Sequence, residues 1–195
     1  GCACDIPSHL YGFSFAPNPE WSRVWAGQAE ILAYLHTVVD RFELRDHIRL
    51  GWAAEHAAFD PQTDTWIVKT GGHTLRARYL IGATGPLRVP KFPAITGVDE
   101  FAGPSMHSAR WDRGIELKGR RVGIIGSAAS AVQMIPKLAP QTEHLTVFQR
   151  TANYIVPKPN RAYTPLEKWA LAHIPGCWRL LRWMLYWRYE LRFHA

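Results

Sequence analysis

A chain of 195 residues that is 47% apolar and 20% charged has a globular composition and excludes extensive disorder. Three cysteines form no disulfide framework and point to a reducing, cytoplasmic setting. The net charge of +7 is unevenly placed, because 15 basic and 14 acidic residues nearly cancel up to position 149, whereas 8 basic and 2 acidic residues follow. No nucleic-acid recognition motif accompanies that basic tail, so it suits a phosphorylated cofactor or an anionic membrane surface better than a nucleic acid. The chain opens on Gly1-Cys2 without an initiator methionine and stops in an apolar, arginine-studded segment, as a fragment of a longer protein would.

Residues 1–25 mix aromatics, prolines and small residues, which predicts a packed, irregular region. Asp5 is its one carboxylate near Cys2 and Cys4, and reads either as a turn or cap residue or as a functional group. Cys2, Cys4 and His9 lack a second Cys/His cluster at suitable spacing, so no metal site is expected. Gln28 to Phe42 has the periodicity of an amphipathic helix, with Ile31, Leu32, Leu35, Val38, Val39 and Phe42 on the buried side. Short strands follow at Ile48–Trp52 and Glu55–Phe59. After a turn at Pro61–Asp64 come Thr65–Lys69, a Gly71-Gly72 turn, and a strand from Thr74 to Thr84. That last strand becomes continuously apolar and ends at small residues, Ala83-Thr84-Gly85-Pro86, where a cofactor can approach the backbone. Pro86 to Val98, with three prolines, reads as a connector between two domains.

Residues 120–150 form one nucleotide-binding unit. Arg121–Ile125 predicts a buried parallel strand, Gly126 a sharp turn, and Val132, Met134, Ile135 and Leu138 a helix face, with a second strand at His144–Gln149. A glycine turn that opens a helix aims backbone N–H groups at one spot, where the helix dipole favours a pyrophosphate. Against G-x-G-x-x-G/A, Gly126 fills the first position and Ala131 the third, but Ala128 stands at the second. At the end of the second strand, where an NAD site expects an acidic residue, the chain has Gln149-Arg150-Thr151. An arginine fork suits a 2′-phosphate, so the expected cofactor is NADP(H). After a proline-rich loop, Leu166–His173 and Cys177–Phe193 should be helices. The second has aromatics all round, broken by Arg179, Arg182, Arg188 and Arg192, and is therefore no standard transmembrane span. It fits peripheral membrane contact, or more simply a helix covering other parts of a longer protein.

Phe101-Ala102-Gly103-Pro104-Ser105-Met106-His107-Ser108-Ala109-Arg110-Trp111-Asp112 fits F-x-G-x-x-x-H-x-x-x-W-[P/D]. This resembles the fingerprint of Baeyer–Villiger monooxygenases, within the flavin-containing monooxygenases. Heteroatom-oxidising relatives carry another aromatic ending. The resemblance covers nearly the whole chain, least so 160–195, and implies an α/β fold with two Rossmann-like dinucleotide-binding domains. These would be a partial FAD half (1–88), an interdomain linker (89–115), and a partial NADP half with a helical extension (116–195).

By the same resemblance, Gly1 to Asp5 with Tyr11 is similar to the loop beside the flavin ring. Asp5 is implied as the catalytic-site carboxylate near flavin and nicotinamide, with Tyr11, Ala54, Ala83, Thr84 and Gly85 at FAD. Ala3, Cys4, Asp5, Gly126, Ser127, Ala128, Ala129, Ser130, Ala131, Val132, Gln133, Arg150 and Thr151 are implied at NADP. The FAD G-x-G-x-x-G and the arginine acting on the flavin peroxide are expected outside the chain. The implied reaction is insertion of one oxygen atom of O2 into a ketone through a flavin C4a-peroxide. The alternatives are oxygenation of a soft nitrogen or sulfur, and a non-catalytic NADP-binding module. His107 reads as a linker-fixing residue in preference to a proton carrier, and Phe101 and Trp111 as packing anchors.

Overall fold

The computed structural model describes residues 2–85, 87–155 and 157–193. Gly1 and Pro86, which figure in the readings above, lie outside the described residues, as do Val156, His194 and Ala195 and the side chains of Arg192 and Phe193. The chain is α/β. It divides into two compact units, one of residues 1–45, 125–136 and 147–195, the other of 46–124 and 137–146.

The first unit packs around α2 (Gln28–Arg41), whose Tyr34 and Val38 join Ala16, Trp21 and Ala26 in the buried core. Ile31 and Leu35 lie against that core as the periodicity predicts, whereas Leu32 and Phe42 stay exposed. Tyr34 takes the central place because its ring meets Trp21 at 5.1 Å. Its hydroxyl also donates to Ala16 O and accepts from Phe13 N–H, both at 2.8 Å. A tyrosine thus satisfies loop backbone that an aliphatic residue would leave unpaired.

The irregular 1–25 region contains one short helix, α1 (Ser8–Tyr11). It is covered by α5 (Cys177–Phe193), from which Arg182 Nη1 donates to His9 O at 2.6 Å and Gly12 O at 2.9 Å. Before α5, α4 (Pro165–His173) begins with a capping box in which Thr164 and Glu167 satisfy each other's backbone N–H groups. Glu167 also pairs with Arg161 at 2.6 Å, and these contacts hold its carboxyl down at about 2.

In the second unit, β1 (Ala54–Asp60), β2 (Thr65–Thr70) and β3 (His73–Ala77) form an antiparallel sheet in the order β1-β2-β3. Both turns fall where the sequence puts them. Asp60 accepts from Gln62 N–H and the Thr63 hydroxyl, and Gly71 and Gly72 adopt φ of 49° and 84°. Two expectations fail. Ile48–Trp52 is no strand, and only a 3-10 turn at Arg45–His47 precedes it. The third strand ends at Ala77, seven residues before the expected Thr84, and leaves Tyr79 and Ile81 exposed. A continuously apolar strand needs partners on its edges, and among the described residues none pairs with 78–84.

The strands β4 (Arg121–Ile125) and β5 (His144–Phe148) are joined by α3 (Ala129–Leu138). Their bonds advance together, from Gly119 N–H to Gln141 O through to Gly126 N–H to Phe148 O at 2.8 Å, so the pair is parallel. β4 is only alternately half-buried, not fully buried as its apolar run predicts.

His9 is 1% exposed, lies edge-on to Tyr163 at 5.2 Å, and has no hydrogen-bond partner for either ring nitrogen among the described residues. Burial, assisted by the Arg182 charge, lowers its pKa to about 4. Its folded form resists protonation, so this site's contribution to stability is complete above about pH 6.5 and is lost as pH falls toward 4. The loss should reach about 3 kcal/mol at pH 4. Urea unfolding from pH 7.5 to 4.5 should show a steeper decline for the native sequence than for His9→Gln. Parallel curves would rule the effect out.

Candidate nucleotide site

Gly126 closes β4 with φ at 109°, a backbone angle that a side chain would strain, and turns the chain toward α3. Val132 N–H bonds Ala128 O at 3.1 Å, so the helical ladder is entered within the loop. Ser127 is half-buried and Ala128, Ala129 and Ser130 are exposed, while Ala131 is buried at 6%, as the third position of the fingerprint requires for close packing. The first turn of α3 holds no acidic residue, so its free N–H groups and dipole suit an anion such as a pyrophosphate.

Beside this loop lies an open groove of about 430 Å³ lined by Ser127, Val132, Ile135, Val147, Gln149 and Asn153 among others. Apolar walls with a few amide and hydroxyl groups suit a flat heteroaromatic ring. Arg150 and Thr151 lie just past β5, after Gln149, and both are exposed.

Asn153 escaped the sequence reading. Its Nδ2 donates to Ser127 O at 2.6 Å and to Ser127 Oγ at 3.0 Å, bracing the turn from 26 residues away. Its only sequence signal is an amide in a loop just after β5.

The same unit holds the 2–5 segment. Ala3 N–H donates to Gln133 Oε1 at 2.8 Å, which brings the expected residues Ala3 and Gln133 together. Cys4 is half-buried, and burial pushes its thiol pKa up, which favours the thiol over the thiolate. Its Sγ lies 3.9 Å from the exposed carboxylate of Asp5. Tyr11 ends α1 and is 44% exposed.

The remaining expected residues belong to the second unit. Ala54 begins β1 opposite Thr70, next to an irregularity in the pairing. Ala83 and Thr84 are exposed outside any regular element, and Gly85 turns with φ of 71°.

The linker motif is locally built. A Cβ on Gly103 would come within 2.6 Å of the Phe101 ring, so the glycine is where that ring rests. His107 Nδ1 accepts from Ala109 N–H at 3.1 Å, capping a 3-10 turn at Ser108–Arg110, and its ring meets Phe92 at 5.6 Å. Asp112 Oδ1 accepts from Gly114 N–H at 2.8 Å. With Nδ1 engaged, His107 is a cap, in keeping with a fixing role.

Residues 12–174 match the model of the pyridine nucleotide-disulphide oxidoreductase family. The chain belongs to that family. It is 45% identical over its full length to a Baeyer–Villiger monooxygenase of Streptomyces coelicolor, covering 38% of that protein. Among solved structures it resembles cyclohexanone monooxygenase from Rhodococcus sp. Phi1 bound to NADP+, with 41% identity, a TM-score of 0.78, and coverage of 91% of this chain and 35% of that one. It also resembles OTEMO in complex with FAD and NADP, at 34% identity and a TM-score of 0.78, covering 88% of this chain and 34% of that one. The chain therefore spans little more than a third of the length of these relatives. Among the described residues no helix is long and apolar enough to cross a membrane.

Gly126→Ala should destabilise the turn by about 1–3 kcal/mol, because a Cβ is forced into a φ region that L residues avoid. Chemical denaturation would measure it, and an unchanged midpoint would show that the turn relaxes freely.

Proposed function

We propose that the intact protein is an FAD- and NADPH-dependent monooxygenase that inserts one oxygen atom of O2 beside a ketone carbonyl, giving an ester or lactone. The observation that carries this reading is the Phe101–Asp112 fingerprint, in which Gly103, His107 and Asp112 each have a defined local task, set directly before a β4–loop–α3 anion site. The two NADP-bound and FAD-bound relatives support the cofactor pair.

On this reading residues 1–88 and 116–195 belong to an FAD half and an NADP half with Rossmann-like folds, and 89–115 links them. FAD, once reduced by NADPH, supplies the chemistry that activates O2. The chain's own residues bind and orient. The Gly126–Gln133 stretch holds the pyrophosphate through amides between Ser127 and Ala131, since the N–H groups of Gly126 and Val132 are bonded within the fold, and Asn153 keeps the turn in shape. The Arg150 guanidinium and Thr151 hydroxyl take the 2′-phosphate and so select NADP over NAD. Tyr11, Ala54, Ala83, Thr84 and Gly85 flank FAD, and Asp5 sets charge and hydrogen bonding near the reacting rings.

Ala128 departs from the family's second glycine and adds a methyl where the pyrophosphate approaches. Ala128→Gly should lower the NADPH dissociation constant several-fold in a fluorescence titration; an unaltered constant would dismiss the methyl as a steric factor.

The reaction itself is tested on the intact protein by following NADPH oxidation with a cyclic ketone and, separately, a thioether, with product masses. Ester or lactone with little sulfoxide is the expected outcome. Sulfoxide with untouched ketone would mean a heteroatom oxygenase. Absence of flavin, or of flavin reduction by NADPH, would leave a nucleotide-binding module.

A further inference from the structure

Residues 2–4 have no helix or extended sheet of their own, yet their main-chain groups are taken up by several distant elements. Cys2 O accepts from Gln28 N–H at 2.9 Å, Cys4 N–H donates to Ala26 O at 3.3 Å, and Ala3 bridges antiparallel to Gly27. These contacts tie the segment to the entry of α2. Two others come from much later in the chain, and both are made by side chains. Gln133 Oε1 takes Ala3 N–H at 2.8 Å, and Lys158 Nζ donates to Cys4 O. Lys158 is itself held, since its ammonium lies over the Trp25 ring at 5.6 Å, and Asn160 bonds both the N–H and the O of Trp25 at 3.0 Å. The next residue is Asp5, whose exposed carboxylate has, among the described residues, only the weak thiol contact of Cys4.

We infer that Gln133 and Lys158 are positioning residues that clamp the main chain of Ala3 and Cys4 from the nucleotide-loop side, and thereby fix where the Asp5 carboxylate stands. The inference rests on the reading of Asp5 as the carboxylate beside the flavin. Gln133 sits one turn into α3, so the helix that presents its N-terminus to the dinucleotide also grips the segment carrying the carboxylate. A shift of about an ångström in a group of this kind can cost on the order of a hundredfold in rate. Lys158 is the cleaner probe, because it lies outside the loop proposed to hold the pyrophosphate.

In the intact apoprotein, amide hydrogen exchange of the peptide covering residues 2–6 should accelerate at least about tenfold in Lys158→Met and in Gln133→Met. It should stay at the native rate in Lys168→Met, whose ammonium instead donates to Glu20 O at 3.1 Å. Lys158→Arg should restore protection. In the flavin-loaded protein, Lys158→Met should slow reduction of the flavin by NADPH about tenfold while leaving NADP+ dissociation within about twofold. In an Asp5→Ala background, Lys158→Met should cause no further slowing, because its effect runs through that carboxylate.

Unchanged exchange in both clamp variants would overturn the clamp. Faster exchange with an unaltered reduction rate, or slowing that simply adds to that of Asp5→Ala, would overturn the positioning role. If the native protein fails to be reduced by NADPH, the functional reading and the positioning role fall together, and the exchange pattern still reports on the clamp by itself.

Discussion

The first unit depends on satisfying the backbone of a segment that makes almost no regular structure. A buried, unpaired peptide group costs about 1–3 kcal/mol, so residues 2–27 can pack tightly only if partners are brought from elsewhere. Besides α2 and Gln133, many come from one later stretch. Val24 N–H bonds Arg161 O, Tyr163 N–H bonds Ser22 O, Asn160 brackets Trp25, and Arg182 gathers the carbonyls at the end of α1. Trp21 and Ala16 are buried beneath this stitching against Tyr34 and Val38. The segments on either side of the stitching are those that Asn153 and Gln133 connect to the nucleotide loop. Loop geometry and the packing of the N-terminal segment are thus parts of one problem in hydrogen-bond supply.

This division explains what could be read from the sequence. The α2 helix, the β1–β3 turns, the β4–α3–β5 unit and the bounds of α5 are set by local periodicity and turn chemistry, and all are legible. So is the linker motif, because Phe101 acts on Gly103, His107 on Ala109 and Asp112 on Gly114, all within two residues. Asn153, Lys158 and Arg182 act across 26, 154 and 170 to 173 residues, and nothing in their neighbourhood announces it. Tyr34 fills a core place that periodicity does not assign to it for a related reason, since its hydroxyl serves the backbone of Phe13 and Ala16, not a helical face. The strand expected to reach Thr84 shows the opposite limit. Its apolar run is real, but a run predicts a buried strand only where neighbouring strands exist to pair with it.

The basic surplus after residue 149 gains a more specific meaning from the same contacts. Composition alone offered a broad cationic field for a cofactor or a membrane. In the structure, Lys158, Lys168 and Arg182 spend donors on main-chain carbonyls, and Arg161 is paired with Glu167. Long cationic side chains suit this work, because they carry only donors, reach far, and cover apolar surface such as the Trp25 and Trp178 rings with their charged ends. Those side chains are held by irregular backbone, which fixes where their charges sit. Arg150 differs from them: it is exposed two residues past the end of β5, and among the described residues its side chain has neither an ion pair nor a carbonyl partner. The proposed 2′-phosphate contact therefore falls on a position where the tail's charge meets the end of the nucleotide unit, and this is a narrower argument for NADP than the basicity of the tail.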